Sequence, residues 1–595
     1  MNSTVFSRNI PQKPLAIPFS SYIIHFVIYY MNNIMTTGGV ISLRLWISIV
    51  LFIAAAVFSW QQSIHIPESN FTPVNASINA NSSILLLPLD GRPPCRKAVM
   101  DIGAIAGTKV DIPPSELMDY YSKPGDTKGL RQWVMDNANG HSAIILSADQ
   151  LIYGGLLAAR EGSKEDRNTD DAEAFLRQLH QRYPHIPIYV FSILPRITPP
   201  DSIDGYYDKK YILRYSRLMG RWYKLGDPDD YEEAQVFKEK INPDSLLSYE
   251  SVFRNSTKIN DMLINLAHEG ILHELVLGQD DGEEYSIPNI EKEKLRSHIS
   301  LVGAKNVKIT HGADEIAMLL VAEITSGHQK PKVYVDWNDR STPDIVMPYM
   351  AISMEKTIED KLSLIGAMRT ASPDDADFIL FVSCGSTESM DSRLRSVRRI
   401  KSYMDHRYKI ALVDLSKHFT AEETLMPLMI KENVPLHSMI AYSGWNTASN
   451  SVGTALAQAV TMTAAENTVR SKAEAAALWQ RNVKFLDGRF MEDYFYLKDV
   501  ISLIDITLKK SGYTNVYDLD LEHNYIWCTA MLRKAMSDRL YSFKHTRSFL
   551  QPIKIDTPDG AALMRVKSLD IDTSFPWPRT FEIYMDAMPY VETSH

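Results

Sequence analysis

Short apolar runs rich in β-branched residues alternate along the chain with longer segments in which apolar residues recur every three or four positions. Runs of this kind indicate buried strands, and the longer repeats indicate helices. The predicted strands cover residues 84–90, 108–112, 143–149, 186–196, 272–281, 307–315, 332–337, 377–385, 409–415 and 437–445. The predicted helices between them cover residues 149–160, 171–182, 258–269, 313–324, 358–370, 422–431 and 447–464. This alternation predicts an α/β protein with parallel sheets.

Two arrangements of these strands are compatible with the pattern, because the predicted strands outnumber those of one barrel of about eight strands. The preferred one is an N-terminal (β/α) barrel-like domain over residues 83–328, followed by a Rossmann- or flavodoxin-like parallel α/β domain over 329–465. The alternative is a pair of doubly wound sheets. Residues 466–595 predict a mainly helical C-terminal region, with helices over 471–485, 491–508 and 525–541 and a terminal strand near Phe581.

The N-terminal part differs from the rest because it is strongly apolar. Residues 45–60 carry no charge and follow Arg44, and with residues 38–43 they reach the roughly 20 residues that span a bilayer. We expect residues 1–60 to be a signal or membrane-anchor region and residues 61–82 to be a polar linker. A weaker apolar stretch at 17–31 suggests that residues 1–30 are an over-extended gene start. The remainder is expected outside the cytoplasm, either anchored or secreted.

Composition narrows the function. The net charge is −9, and no stripe of Lys and Arg is present, which argues against a nucleic-acid partner. The three cysteines are widely spaced and form no CxxC pair, so a zinc ribbon or a disulfide framework is excluded. No P-loop, GxGxxG or GxSxG follows a predicted strand, which disfavours nucleotide chemistry and a serine-hydrolase elbow. We therefore expect no cofactor and assign no metal site.

Polar residues follow most of the predicted strands, where ligands bind in parallel α/β folds. Each alone has a structural alternative, because Asp and Asn also cap helices and form turns. The candidates are Asp280 and Asp281 as catalytic residues, and Asp90, Arg92, Asp149, Arg196, Asp314, Glu315, Trp445 and Asn446 as substrate-binding residues.

The segment LGQDDGEEYS carries the sharpest candidate chemistry, although Asp-Asp-Gly is also a common turn sequence. Neighbouring carboxyls such as Asp280 and Asp281 can push their pKa values apart, which leaves one acid and one base. In some retaining sugar hydrolases, one of two adjacent carboxylates orients a substrate acetamide and the other is the general acid. This pair therefore indicates a glycosidase-like site.

Two other segments have weaker signals. His311, Asp314 and Glu315 could bind a divalent cation, but the acidic pair equally suits the N-terminus of the following helix. Trp445 could stack on a sugar ring, and the helix that begins after Asn446 could hold a polar or anionic group at its N-terminus.

Several long segments also carry a family resemblance. PLDGRP, SADQLIYGGLLAAR, LGQDDGEEY, HGADEIAMLLVAE, YSGWNTASNSVGTALAQ and FPWPRTFEIY occur in this order. In these segments the chain resembles the bacterial family called domain of unknown function 4127, over about residues 83–590. The resemblance implies no settled activity and no established catalytic residues. Cys95 stands where we expect Asn in many relatives.

Three functions remain open on the sequence. The first is an exported or membrane-anchored hydrolase that acts on a carbohydrate. The second is a metal-assisted hydrolase that uses His311 and the neighbouring carboxylates. The third is a non-catalytic protein that binds a sugar or peptide outside the cytoplasm. The expected partners are a carbohydrate or other polar small molecule and a membrane, and the oligomeric state is not predicted.

Overall fold

The computed structural model describes residues 71–74, 82–161, 169–327, 329–385, 389–557 and 559–594. The chain divides into two units, residues 1–70 and Phe71–His595, so the predicted apolar segment 45–60 lies outside the described residues. Within the described residues, no helix combines the length and the apolar character that crossing a bilayer requires. The account below concerns the second unit.

The strands of the described residues form three sheets. They are β1 (Phe71–Pro73), β2 (Ser82–Leu87), β3 (Thr108–Asp111), β4 (Ala143–Ser147), β5 (Ile188–Leu194), β6 (Glu274–Gln279), β7 (Val307–His311), β8 (Lys332–Trp337), β9 (Met368–Arg369), β10 (Phe378–Ser383), β11 (Ile410–Asp414), β12 (Ala441–Ser443), β13 (Ile553–Thr557), β14 (Gly560–Ser574) and β15 (Tyr584–Ser594).

The α-helices connect these strands and make up most of the region before β13. They are α1 (Lys97–Ile105), α2 (Thr127–Asn137), α3 (Ala148–Tyr153), α4 (Leu156–Ala159), α5 (Thr169–Arg182), α6 (Tyr206–Leu225), α7 (Pro228–Lys240), α8 (Pro243–His268), α9 (Ile287–Val302), α10 (Ile316–Ser326), α11 (Met354–Leu364), α12 (Met390–Asp405), α13 (Met426–Lys431), α14 (Ala448–Glu466), α15 (Lys472–Arg489), α16 (Ile501–Lys510), α17 (Tyr525–Lys544) and α18 (Arg547–Leu550). A π-helix, Phe490–Val500, joins α15 to α16. Short 3₁₀ turns occur at Pro93–Cys95, Thr342–Asp344, Pro373–Asp375, Ala421–Glu423 and Leu436–Ser438.

The first sheet is open and parallel, with strand order β3-β2-β4-β5-β6-β7. Its two edge strands, β3 and β7, do not pair with each other, so the sheet does not close and the predicted barrel over 83–328 is wrong. A barrel and an open sheet bury the same apolar runs; closure depends on strand tilt and stagger, which no single strand encodes. Strand β3 lies on one side of β2 and β4 lies on the other, so the direction in which the sheet grows reverses there. The switch point of the sheet therefore lies between β2 and β4.

The second sheet is also parallel and open, with order β12-β11-β10-β8-β9. Counted from its first strand, this is the 2-1-3-4-5 order of flavodoxin-type sheets, and the first sheet has the same order with one strand added. The alternative arrangement, two doubly wound sheets, is therefore the one observed.

Alternate side chains of the strands enter different cores, as the two-residue period of a strand requires. In β2, Ile84 and Leu86 belong to a core shared with the second sheet and with helices α1, α10, α11 and α14. Leu85 and Leu87 face the opposite side of the first sheet, where α2, α5 and α8 cover it. Helices α10 and α14 are buried on nearly all sides, which suits helices between two sheets.

The C-terminal region covers the other face of the second sheet. Helices α15, α16 and α17 confirm the predicted helices there, and they share an apolar core with β10 and β11. Strands β13, β14 and β15 form an antiparallel sheet with β1, in which Phe71 pairs with Ser594. The sequence predicts only one terminal strand where three are found.

Candidate functional site

A polar pocket of about 240 Å³ lies at the C-terminal ends of β5, β6 and β7. Three groups of residues line it: charged residues that follow the strands of the first sheet, the first turn of α14, and two further loops. We call it the rim pocket, and its lining residues are Arg92, Leu156, Arg160, Arg196, Gln279, Asp280, Asp281, His311, Gly312, Ala313, Asp314, Tyr349, Met350, Asn446, Thr447, Ser449, Asn450, Arg579 and Phe581.

Arg92 is held between two carboxylates at the switch point. Its Nη2 lies 2.6 Å from Asp90 Oδ2 and 2.6 Å from Asp314 Oδ1, and its backbone N–H donates to Asp90 Oδ1 at 3.0 Å. Burial by itself lowers the pKa of Arg92, but Asp314 and Asp90 outweigh it and raise that pKa well above the usual value. Burial likewise raises the pKa of Asp90, and Arg92 more than reverses this. The three groups therefore form a buried ion-pair unit in which one guanidinium binds two carboxylates.

Cys95 lies beside this unit, which raises the question of a metal. Ligand atoms of Asp90, Cys95 and Asp314 all lie within 4.8 Å of one another. However, Arg92 donates hydrogen bonds to both carboxylates, and its charge opposes a cation there. Burial and the charge of Asp90 raise the pKa of the Cys95 thiol well above its usual value, whereas a metal ligand must be a thiolate. These residues fit a metal ion poorly.

Asp280 and Asp281 stand side by side in different electrostatic surroundings. Arg160 donates from Nε and Nη2 to Asp280 Oδ2 at 2.8 and 2.5 Å. Burial raises the pKa of Asp280, but Arg160 and Arg196 outweigh it and hold that pKa below its ordinary value. Burial and the charge of Asp280 raise the pKa of Asp281 to about 6. One carboxyl is thus ionised while its neighbour readily holds a proton.

Helix α6 anchors the loop that carries these two carboxyls. Arg217 pairs with Glu283 at 2.6 Å, and Lys224 pairs with Glu284 at 3.1 Å. The Ser216 hydroxyl accepts the backbone N–H of Ile287, at the start of α9. Of the acidic residues of LGQDDGEEYS, Asp280 and Asp281 therefore line the rim pocket, whereas Glu283 and Glu284 hold the loop against α6.

Arg160 reaches the pocket because the predicted helix 149–160 is interrupted. Gly154 and Gly155 have φ angles of 76° and 126°, which L side chains rarely adopt, and they separate α3 from α4. A Cβ on Gly155 would lie 2.9 Å from the carboxyl carbon of Asp119. Asp119 is buried, and neither of its carboxyl oxygens makes a hydrogen bond of ordinary geometry.

The wall opposite the strands is the N-terminus of α14. The Thr447 hydroxyl accepts the backbone N–H of Asn450 and caps the helix. Asn446 lines the pocket with a φ of 37°, and Asn450 Oδ1 is buried without a hydrogen-bond partner. This wall offers the N-terminus of a helix and a buried side-chain oxygen that has no hydrogen-bond partner among the described residues.

Four of the predicted residues do not line the rim pocket. Asp90 binds Arg92, which lines the pocket, but does not line it itself. Asp149 accepts the backbone N–H of Ile193 at 2.9 Å, has a pKa raised by burial to about 7, and lines a neighbouring pocket of about 30 Å³. Glu315 is fully buried in an ion pair with Lys361.

Trp445 is only 2% exposed and contacts Phe581 edge to face, with ring centroids 6.1 Å apart. The expected stacking of Trp445 on a sugar ring is wrong in this conformation, because the indole is buried in the core. Phe581 lines the pocket in its place.

His311 has both ring nitrogens occupied. Nδ1 lies 2.8 Å from a carboxylate oxygen of Asp360, and Nε2 lies 3.1 Å from Lys292 Nζ. Burial lowers the pKa of His311, so the neutral ring donates to Asp360 and accepts from Lys292. This arrangement leaves no nitrogen free for a metal ion.

Some residues at the site were not singled out from the sequence as contacting a ligand. They are Arg160, Gln279, Asn450 and Arg579 at the rim pocket and Asp119 behind it. Arg160, Gln279, Asn450 and Arg579 lie inside the long segments quoted above, and membership of these segments is a signal that could have indicated them. Asp119 lies in none of these segments.

Comparison with known proteins identifies one relationship. The family model described as Protein of unknown function (DUF4127) matches residues 84–586. No curated protein and no solved structure matches the chain significantly. The family match includes both parallel sheets, except the first two residues of β2, and every residue of the rim pocket. Because it covers far more than half of the chain, the protein belongs to the DUF4127 family.

Proposed function

We propose that the protein is a hydrolase that acts on a carbohydrate, with Asp280 and Asp281 as its catalytic pair. The observation that carries the proposal is the position of these adjacent carboxyls in a polar pocket, where arginine neighbours one of them closely and not the other. Such a division of roles between two carboxyls is what glycoside hydrolysis requires.

Asp281 is the general acid in this proposal. Its carboxyl donates a proton to the oxygen of the glycosidic bond as that bond breaks; a water molecule then adds its hydroxyl to the anomeric carbon and returns its other proton to Asp281. Asp280 stays ionised and either attacks the anomeric carbon or stabilises the positive charge that develops there. Arg160 fixes the position of Asp280. Export through the apolar segment 45–60, with or without anchoring, remains part of the proposal.

The test is turnover of a panel of 4-nitrophenyl glycosides and polysaccharides, with wild type and Asp281→Asn side by side. We expect at least one substrate to be cleaved and Asp281→Asn to lower kcat by about 10²- to 10⁴-fold, the range typical of a lost general acid. Asp556→Asn, which alters an exposed ion pair with Arg407, is the matched control and should retain full activity. A cleaved substrate whose turnover is unchanged in Asp281→Asn would remove the proposal.

A non-catalytic sugar-binding protein is the second candidate. Gln279 Oε1 and Asn450 Oδ1 line the pocket, are buried and have no hydrogen-bond partners, so both are ready to accept hydroxyl groups. This candidate predicts saturable binding of a sugar with no cleavage. The metal-assisted alternative has less support, because both nitrogens of His311 are engaged.

A further inference from the structure

Arg196 differs from the other arginines of the rim pocket because no carboxylate neutralises it at short range. Among the described residues its only ion pair is with Asp201, at 3.7 Å, and that carboxylate is 75% exposed. The Arg196 side chain is only 17% exposed, and its buried Nε has no hydrogen-bond partner. Burial and the nearby charge of Arg160 both lower its pKa, and the charges of Asp280, Asp201 and Asp281 offset this only in part.

The other three pocket arginines have close partners. Arg92 lies 2.6 Å from Asp90 and from Asp314, and Arg160 lies 2.5 Å from Asp280. Arg579 donates to both carboxyl oxygens of Glu582 at 2.6 Å. A guanidinium binds carboxylate and phosphate groups in a two-pronged geometry, and of the four pocket arginines Arg196 is the one for which the described residues supply no close partner of this kind.

Two further features lie around the same pocket. The N-terminus of α14, a 19-residue helix, carries the partial positive charge that favours an anion. Asn450, 5% exposed, and Gln279, 2% exposed, each present a buried side-chain oxygen without a hydrogen-bond partner. Buried acceptors of this kind are costly unless a donor reaches them, and sugar hydroxyls are such donors.

We infer that the rim pocket takes an anionic sugar, with its carboxylate or phosphate against Arg196 and the α14 N-terminus and its hydroxyls on Gln279 and Asn450. The inference names the class of substrate, and in that sense it rests on the proposed function. Sugar acids and sugar phosphates share this chemistry, and the experiment separates them.

The experiment is calorimetric titration of the whole protein with glucuronate, glucose 6-phosphate and glucose. At least one of the two charged sugars should bind 10-fold or more tightly than glucose, and the tighter of them identifies the anion. Arg196→Gln should weaken that sugar by about 10- to 100-fold, the usual loss for a hydrogen bond to a charged group, and should leave glucose unchanged. Arg196→Lys should keep part of the preference, because it keeps the charge but not the fork.

Arg254→Gln is the matched control, because Arg254 is exposed and only pairs with Glu250 along α8. It should leave every affinity unchanged. Circular dichroism and thermal unfolding of Arg196→Gln should match wild type. The inference is overturned if no charged sugar binds, if glucose binds as tightly as the charged sugars, or if the preference survives Arg196→Gln. Turnover in Asp281→Asn is measured separately, so lost substrate preference with Asp281-dependent cleavage would reject this inference and keep the proposed function.

Discussion

At the scale of single residues, the site depends on charged side chains that are buried away from water. Asp90, Asp280 and Asp314 each have a guanidinium within hydrogen-bonding distance, which offsets the cost of burying a carboxylate. Asp119 and Asp281 have no such short partner, and the pKa of each is raised. At about pH 6 and below, Asp281 holds a proton that it can donate while the pKa of Asp280 stays below its ordinary value, so this contrast is the chemical basis of the proposed acid.

Asp119 allows a test of this electrostatic picture that needs no substrate. Burial and the charge of Asp90 raise its pKa to about 8, from 3.8 in the absence of these effects. The folded state therefore holds a proton that the unfolded state releases, and the free energy of unfolding should fall as pH rises from about 4 to about 8. Asp119→Asn lacks this proton. Relative to the variant, wild type should lose at most about 1.4 kcal/mol per pH unit across that window. Urea unfolding at several pH values measures this, and parallel stability profiles would contradict it.

Several polar residues that come soon after a strand could be placed at the rim pocket from the sequence, although Asp90 and Asp149, which also follow strands, do not line it. Those that line it include Arg92, Asp280, Asp281 and Asp314. Arg160 and Arg579 could not be placed in the same way. Arg160 reaches the pocket because Gly154 and Gly155 interrupt the predicted helix, and Arg579 belongs to a segment far along the chain that also lines the pocket. Trp445 was expected to contact a ligand, but its indole is buried in the core. A sequence does not show which aromatic side chains become buried.

At the scale of elements, helix α11 is fastened to the end of β7 by charged side chains. Lys361 donates to the backbone carbonyl of His311 and to the carboxylate of Glu315. Asp360, the preceding residue of α11, accepts from the His311 ring. The sequence suggested the segment HGADE as a ligand site. In the structure Asp314 lines the rim pocket, whereas Glu315 binds Lys361 of helix α11.

Lys361→Met should consequently destabilise the protein by about 3–5 kcal/mol, because it leaves the carboxyl of Glu315 buried without its partner. Lys356→Met is the control on the same helix: Lys356 is 65% exposed and pairs with Glu359 at the surface, so its loss should change stability by less than about 0.5 kcal/mol. Chemical denaturation of the two variants provides the comparison. Equal losses would show that the buried pair does not fasten α11.

The elements themselves were predictable to different degrees. Each of the ten predicted strands overlaps an observed strand, because buried parallel strands are continuous apolar runs. The helices that were not predicted are α1, α2, α6, α7, α9, α12 and α18. Of these, α7 has a weak apolar face and lies against α6 at the surface of the unit. Strands β13 and β14 were missed because their apolar residues alternate with polar ones, as in a half-exposed sheet, and do not form a run.

At the scale of the whole molecule, the two parallel sheets are linked by a common core. Leu86 of β2 and Val276 of β6 belong to the same apolar cluster as Val335 of β8 and Val413 of β11. The sequence predicts parallel strands in both regions, but it favours a barrel for the first and does not give the arrangement of the two sheets. The shared core depends on contacts between segments several hundred residues apart, about which the pattern within each segment says nothing.

The shared core predicts that the two parallel sheets unfold together. Differential scanning calorimetry should give one main transition for the part of the chain that contains them, with the calorimetric and van't Hoff enthalpies in agreement. Two transitions, one matching the loss of each sheet, would show that the core between them contributes little.

The central claim is that Asp281 acts as an acid beside an ionised Asp280. The most direct test is the pH dependence of kcat for a cleaved glycoside, for wild type and Asp281→Asn. Because the pKa of Asp281 is raised to about 6 and the acid must be protonated, wild-type kcat should fall as pH rises above about 6. The variant should be slow throughout and lack this descending limb. A wild-type rate that stays constant or rises from pH 6 to pH 8, or the same descending limb in Asp281→Asn, would contradict the account.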